Sequence, residues 1–289
     1  MTPHHGHSSG NTFFDMWNPD VLLATILVGA IYLAIIGPWQ KRFADASPVS
    51  SKKRAAFLTG LVLFYLAEGS PINYYGHQYF FSLHMVQQSF LYLIVPPLLL
   101  VGVPEWLLAR IFPMGWPRKI LSFFTNPLLG ALGFNVLFSF YHVPFIFDEV
   151  SLYPTAMSIY HAVLFVAAFM MWWPIVSPLS EKQSQLSDLK KVAYIFANSV
   201  LITPACALII FSDSQLYESY RLAPELIAGH SAFEDQRLGG VLMKLIQEGV
   251  YSSILGYTFF RWYKRERAKD EIEFADILAA KAEESKSRV

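Results

Sequence analysis

Three histidines lie within or at the ends of long apolar stretches of this sequence. They are His84 in HMVQQ, His142 in FYHVP and His161 in SIYHAVLF, and no Asp, Glu, Lys or Arg occurs from His77 to Pro104. Polar side chains are costly in lipid, so inside a membrane span they normally face the protein interior or a water-filled cavity. Neutral imidazole is also a common ligand of transition metals. The three histidines therefore predict a metal or redox site.

Sulfur-containing side chains accompany these histidines. Met157 precedes His161 by four residues, so the two share one face of a helix, and Met85 directly follows His84. Imidazole and thioether ligands together suit copper, and sulfur favours Cu(I), whereas calcium and magnesium require carboxylates. The sequence therefore predicts copper as the metal.

Several of these residues also have structural interpretations. Asp235 either binds the site or caps the start of a helix. Histidines inside spans can donate to neighbouring helices, and methionines pack well in irregular interiors. Cys206 is the single cysteine of the chain, which excludes an internal disulfide and every multi-cysteine zinc or iron–sulfur motif. We expect Cys206 to be a small buried hydrophobic residue.

The elements that position these residues are membrane helices. The chain has 289 residues, of which 54% are hydrophobic and 15% charged, and its mean hydropathy is +0.37. This composition is typical of an all-α integral membrane protein with several spans. Apolar runs bounded by charge, Pro and Gly predict seven transmembrane helices, and the second could extend to Tyr75 and carry Glu68 into the membrane. The predicted spans are 20–38, 55–69, 79–101, 126–142, 156–176, 191–211 and 239–262.

The distribution of Lys and Arg predicts the orientation, because basic residues near span ends stay in the cytoplasm. Basic residues concentrate in alternate loops and after Tyr263, which places the N-terminus outside and the C-terminus in the cytoplasm. The predicted domains are an extracytoplasmic tail (1–19), the transmembrane domain (20–263) and a charged cytoplasmic helix (264–289). The extracytoplasmic tail carries a histidine cluster that either binds a metal or has no functional role. Its members are His4, His5 and His7.

With this orientation the histidines after the N-terminal tail fall on one side of the membrane. His77, His84, His142 and His161 lie at or near the outer ends of their spans, and His230 lies in an outer loop. None is assigned to the cytoplasmic half. The sequence therefore predicts one extracytoplasmic site.

Other polar residues of the spans have simpler predicted roles. We expect Asn135 and Asn198 to form hydrogen bonds between helices. Lys244 and Glu248 are i,i+4 neighbours, so they can neutralise each other in the bundle, where they either fix packing or serve a proton path.

Five sequence blocks together resemble the CtaG family of bacterial cytochrome c oxidase assembly factors. They follow the family's order from the third predicted span to the seventh, and they are HMVQQ (84–88), PPLLLVGVP (96–104), FNVLFSFYHVP (134–144), MMWWPI (170–175) and DQRLGGVLMK (235–244). The resemblance implies a seven-span membrane protein associated with maturation of caa-type oxidases through delivery of copper.

The same resemblance implies functional roles for His84, His142, His161 and Asp235, which match polar motifs of the family. One position departs from the pattern. Many members carry a second histidine four residues after the first, where this chain has Gln88. A glutamine amide is a poor copper ligand, so a two-histidine pair on this helix is not expected.

The leading hypothesis is a non-enzymatic assembly factor of the bacterial plasma membrane. It holds copper at His84, His142 and His161, with Met157 and Asp235 nearby, and passes the ion to a cytochrome c oxidase subunit. The alternatives are a haem-binding or redox membrane protein with two axial histidines, and a proton or metal transporter. The net charge is zero and the pI near 7.1, which gives no support for a nucleic-acid partner. A homo-oligomer is left open.

Overall fold

The computed structural model describes residues 16–179, 186–224 and 226–287, and this part of the chain contains helices and no β-strand. The all-α prediction is confirmed. The predicted histidine cluster of the N-terminal tail lies outside the described residues. The helices are α1 (Pro19–Ile36), α2 (Ser51–Glu68), α3 (Pro71–Gln78), α4 (Phe81–Gly102), α5 (Glu105–Ile111), α6 (Trp116–Phe124), α7 (Pro127–Tyr141), α8 (Pro144–Ser151), α9 (Pro154–Val176), α10 (Asp188–Ile210), α11 (Glu218–Arg221) and α12 (Ala232–Ser287).

Five segments of the described residues are long and apolar enough to cross a membrane, namely α1, α2 with α3, α4, α9 and α10. A sixth results if α6 and α7, which meet at a bend of 53°, form one span. The protein is therefore a multi-pass membrane protein. The predicted spans at 126–142 and 239–262 correspond to α7, which is short, and to part of α12, where Lys244, Gln247 and Glu248 lower the hydropathy. Seven spans remain a prediction.

Proline and a capping side chain begin several of these helices. The Asn18 side chain accepts from the backbone N–H groups of Asp20 and Val21 at 3.0 and 3.2 Å, just before Pro19. Asn126 caps α7 in the same way before Pro127. Proline fits the first helical position because the N–H that it lacks would have no partner there, and an Asn oxygen satisfies the next donors.

Helix α4 contains a π-helical turn, Phe90–Ile94, just before Pro96 and Pro97. The carbonyl of Tyr92 would accept from residue 96 in an α-helix, but proline has no N–H to donate. The indole N–H of Trp172 on α9 donates to this carbonyl instead, at 2.9 Å. The prolines thus explain both the irregular turn and its fixed contact with α9.

The interior is filled by aromatic side chains from α4, α7, α9 and α12, and polar contacts fix neighbouring helices. The Asn135 amide donates to the Asn198 side chain at 2.9 Å, which confirms the predicted bond between α7 and α10. A Cβ on Gly130 would lie 2.7 Å from the Met170 carbonyl oxygen, so glycine permits the close approach of α7 and α9. Cys206 is buried, as predicted.

Helix α12 runs without a break through the predicted end of the transmembrane domain at residue 263. In its first third, the Lys244 ammonium lies 2.6 Å from the Glu248 carboxylate, so the predicted pair forms, although its side chains are 29% and 45% exposed and not inside the bundle. Further along, Arg261 and Arg265 bind the Asp188 carboxylate at 3.1 and 2.9 Å. These ion pairs fix the later part of α12 against the start of α10.

Candidate metal site

Three histidines from three helices converge in the interior. His77 on α3, His84 on α4 and His161 on α9 each offer a ligand atom, and these atoms lie within 4.8 Å of one another. The ring centroids are 4.9 Å apart for His77 and His84 and 5.6 Å apart for His84 and His161. His84 is fully buried and His161 is 7% exposed. We refer to His77, His84 and His161 as the three-histidine group.

The short helix α3, which continues the span begun by α2, packs against the start of α4 and so brings His77 into this group. A Cβ on Gly76 would lie 3.0 Å from the backbone nitrogen of His84 and 3.2 Å from its Cα. Glycine therefore permits the close approach of the two helices next to both histidines. The Tyr220 hydroxyl donates to the Gly76 carbonyl at 2.6 Å and fixes α3 from the other side.

A backbone carbonyl sets the tautomer of His77. Its Nδ1 lies 3.0 Å from the carbonyl oxygen of Asn73. Because a carbonyl only accepts, Nδ1 carries the hydrogen, and Nε2 of the neutral ring keeps its lone pair. The Asn73 amide in turn donates to the Glu68 carboxylate at 3.1 Å. Histidines that bind metals are commonly oriented by a hydrogen bond from the ring nitrogen that does not bind the ion.

Tyr141 and Gln88 link the other two histidines. The Tyr141 hydroxyl oxygen is 3.1 Å from Nε2 of both His84 and His161 and 3.0 Å from the Met157 sulfur. The Gln88 amide nitrogen is 3.0 Å from His84 Nε2 and 3.5 Å from His161 Nε2. Gln88 therefore occupies a position where a fourth imidazole would reach the group.

His142 lies outside the three-histidine group. Its Nδ1 donates to the Phe138 carbonyl at 2.8 Å, and its ring packs 4.3 Å from the Phe138 ring. Among the described residues its Nε2 has no hydrogen-bond partner, although the side chain is fully buried. The adjacent Tyr141 points to the histidines instead. Consecutive helical residues are turned by about 100°, so only one of the two can face the group.

Asp235 contacts the start of α4. Its carboxylate accepts from the backbone N–H of Ser82 at 3.1 Å and from the Ser82 hydroxyl, and it lies 3.3 Å from His230 Nε2. Phe80, the residue before α4, offers no capping side chain. Asp235, which lies on α12, therefore caps α4. Its contact is with Ser82, two residues before His84.

A cavity of about 620 Å³ adjoins the three-histidine group. His77 and His161 form part of its wall, so a ligand inside it would reach their rings. Further lining residues are Glu68, Asn73, Met157, Ser158, Ser219 and Tyr220. The cavity thus connects imidazole, thioether and carboxylate groups within one space.

The family profile described as cytochrome c oxidase caa3 assembly factor (Caa3_CtaG) matches residues 30–265. The chain belongs to this family. No curated protein and no solved structure matches the chain. The matched region includes all three histidines, Gln88, Tyr141 and Asp235, so the candidate site lies within the part that defines a Caa3_CtaG member.

The ligand atoms available in this Caa3_CtaG protein fit a soft or borderline metal ion. The group offers three imidazoles, the Met157 sulfur is within reach of Tyr141, and no carboxylate belongs to the group. Copper and zinc accept such ligands, whereas calcium and magnesium need several oxygens.

The predicted ligand set contains neither His77 nor Tyr141. The sequence places His77 on the same side as the other histidines but at the outer surface, because it precedes the apolar run, and only the Ser-Pro helix start at Ser70 and Pro71 indicates a separate helix there. No sequence signal distinguishes Tyr141 from the other tyrosines of the chain.

Proposed function

We propose that the protein assists assembly of cytochrome c oxidase by holding copper at His77, His84 and His161 and transferring it to an oxidase subunit. The observation that carries this proposal is the convergence of three histidine ligand atoms within 4.8 Å inside an apolar helical bundle. Membership of the cytochrome c oxidase assembly-factor family supports the oxidase as the recipient. Copper is cargo here, and the protein acts without being an enzyme.

The surroundings of the group support transfer in preference to permanent storage. Met157 and His161 line the adjoining cavity, so an incoming ligand could replace one donor while the others hold the ion. His142 and Asp235 then act outside the ligand set, His142 in packing and Asp235 as the cap of α4.

We also propose seven spans in a bacterial plasma membrane, with the N-terminus outside. Alternate basic loops support this orientation. The three-histidine group then lies in the outer leaflet, on the side where copper would be handed over. Length and hydropathy alone do not identify two of these spans. They would be α7, which is short, and the part of α12 that carries polar residues.

Two alternatives receive less support from this geometry. A haem with His84 and His161 as axial ligands needs a flat space between the rings, but Tyr141 and Gln88 contact both rings there. A proton path would have to join Glu68 to Lys244 and Glu248. Glu68 lines the cavity beside the histidines, whereas the side chains of Lys244 and Glu248 are 29% and 45% exposed at the bundle surface.

Binding of Cu(I) by the purified protein tests the proposal. Replacing His77, His84 and His161 together by Ala should abolish the stoichiometric binding that the wild type shows under reducing conditions. His142→Asn is the matched control, because it removes a buried histidine outside the group and should leave binding unchanged. Equal binding by the triple variant and the wild type would refute the site.

A further inference from the structure

The hydroxyl of Tyr141 has one hydrogen and three acceptors within reach. Its oxygen lies 3.1 Å from Nε2 of His84, 3.1 Å from Nε2 of His161 and 3.0 Å from the Met157 sulfur. The Tyr141 side chain is fully buried, so it would be costly to leave this hydrogen without an acceptor. The hydroxyl therefore donates to one of these three atoms.

The neighbouring amide of Gln88 indicates which ring nitrogens carry lone pairs. Its nitrogen lies 3.0 Å from Nε2 of His84 and 3.5 Å from Nε2 of His161. An amide nitrogen only donates, so both Nε2 atoms are acceptors, and their lone pairs are the ones that can bind an ion. Without an ion, the Tyr141 hydroxyl donates to one of the two, because a thioether is a weaker acceptor than a ring nitrogen.

An ion in the three-histidine group changes the acceptors that remain. It uses the lone pairs of His84 and His161, so neither nitrogen can still accept from Tyr141. Of the three acceptors, the sulfur of Met157 is left. Met157 precedes His161 by four residues on the same face of α9, and its sulfur already lies 3.0 Å from the hydroxyl oxygen. It can therefore accept the hydrogen without moving.

The ring of Tyr141 is held in place while its hydrogen changes direction. Its centroid lies 5.2 Å from that of Phe147 and 5.1 Å from that of Tyr160. Tyr160 is itself fixed, because its hydroxyl donates to the Leu137 carbonyl at 3.0 Å. Rotation about the bond between the ring and the oxygen redirects the hydrogen and leaves the oxygen where it is. The change of acceptor therefore fits a closely packed interior.

We propose that Met157 is a positioning residue, which accepts the hydroxyl hydrogen of Tyr141 when the ion is bound and is not itself a copper ligand. The hydroxyl keeps its hydrogen in both states and changes only its acceptor. In the empty site it competes with the ion for a histidine lone pair, so Tyr141 lowers the affinity for copper. This inference rests on the copper site proposed above and deepens it, because it names what regulates how tightly the ion is held.

The Cu(I) affinities of four forms of the full chain distinguish a positioning residue from a ligand. They are the wild type, Met157→Leu, Tyr141→Phe and the double variant, each measured by competition with a Cu(I) chelator. Met157→Leu alone should raise the Kd at least about fivefold, because the loaded site then holds a buried hydroxyl without an acceptor. In the Tyr141→Phe background the same change should leave the Kd unaltered, because no hydroxyl needs the sulfur. Tyr141→Phe alone should lower the Kd, since it removes the competing donor.

Met171→Leu is the matched control. It makes the same substitution on α9, at a buried sulfur that also accepts from a tyrosine hydroxyl, that of Tyr251 at 3.6 Å. Met171 lies about 15 Å along the helix from His161, so Met171→Leu should leave the Kd for Cu(I) unchanged. A loss of affinity in this control equal to that in Met157→Leu would overturn the proposal, because the loss would then not depend on Tyr141.

The other outcomes of the four measurements are equally decisive. Equal weakening by Met157→Leu with and without the Tyr141 hydroxyl would show that the sulfur is a ligand. No weakening in either background would show that the hydroxyl does not use the sulfur. Either result would overturn the proposal. Wild-type binding no stronger than that of the triple alanine variant would instead refute the copper site itself.

A second measurement needs no variant. X-ray absorption at the copper edge of the Cu(I)-loaded wild type reports the elements in the first coordination shell. We expect nitrogen ligands and no sulfur. A sulfur atom in that shell would overturn the proposed role of Met157 and leave the three-histidine group intact.

Discussion

At the residue scale, the hydrogen bonds of the histidines distinguish their roles. His84 and His161 share Tyr141 and Gln88 as neighbours, and His77 completes the group with Nδ1 held by a carbonyl. His142 is equally buried, yet its ring packs on Phe138 and donates to the Phe138 carbonyl, and its own carbonyl accepts from the Tyr217 hydroxyl at 2.9 Å. Burial in an apolar span therefore does not by itself identify a ligand.

Gln88→His should strengthen metal binding. The Gln88 amide already lies 3.0 Å from His84 Nε2, one turn away on α4, and an imidazole there would add a fourth nitrogen to the group. We expect at least a tenfold lower Kd for Cu(I), about 1.4 kcal/mol, measured by competition with a Cu(I) chelator. Val101→His, at the exposed far end of the same helix, is the control. An unchanged Kd in Gln88→His would show that residue 88 does not face the ion.

The sequence predicted part of this site because hydropathy gives the depth of a residue in the membrane. His84 and His161 were expected at similar depth, and the structure brings them together. Hydropathy does not give the direction of a side chain around its helix, so it could not distinguish Tyr141 from His142. It also could not show that the end of α3 packs against the start of α4 and brings His77 next to His84.

At the element scale, the start of α4 depends on a residue from α12. Asp235 satisfies the Ser82 N–H and hydroxyl at the positive end of the helix that carries His84. The sequence offered Asp235 as either a ligand or a helix cap. The predicted cap is at the start of Asp235's own helix, whereas the structure shows the carboxylate accepting from Ser82 at the start of α4, and no sequence rule identifies a cap supplied by a distant helix. The ligand role of Asp235 stays a prediction.

Asp235→Ala should lower both stability and copper affinity. It leaves the buried Ser82 donors without an acceptor, which costs about 1–3 kcal/mol of unfolding free energy, and it allows His84 to shift. Asp235→Asn keeps one acceptor oxygen and should retain most of the copper affinity. Thermal unfolding and Cu(I) titration of both variants measure these effects, with the exposed Glu149→Ala as the control. Equal loss of copper in the Asn and Ala variants would instead indicate that Asp235 is a ligand.

At the scale of the whole molecule, the sequence predicted the helical membrane architecture well because long apolar runs leave few alternatives in lipid. The helix ends in the structure differ from the predicted span ends where the composition of the sequence changes from apolar to charged. The charged residues after 263 continue α12, since helix formation there does not depend on apolar character. The polar residues in the first third of α12 contact α10, where the Lys244 ammonium donates to the Thr203 hydroxyl at 2.9 Å.

The predicted orientation can be measured with thiol reagents, because the chain has a single, buried cysteine. In a Cys206→Ala background, Ser214→Cys in the loop after α10 should react with a membrane-impermeant maleimide in intact cells. Ser47→Cys, in the first basic loop, should react only after the membrane is permeabilised. The reverse pattern would place the three-histidine group in the cytoplasmic leaflet and remove the basis for delivery outside.

The most direct test of the central claim is the copper content of cytochrome c oxidase isolated from cells that carry His84→Ala, with the level of the assembly factor matched to wild type. We expect the oxidase from these cells to lack copper and activity, and the oxidase from His142→Asn cells to be normal. Full copper loading of the oxidase in the His84→Ala cells would contradict the proposed role of the three-histidine group.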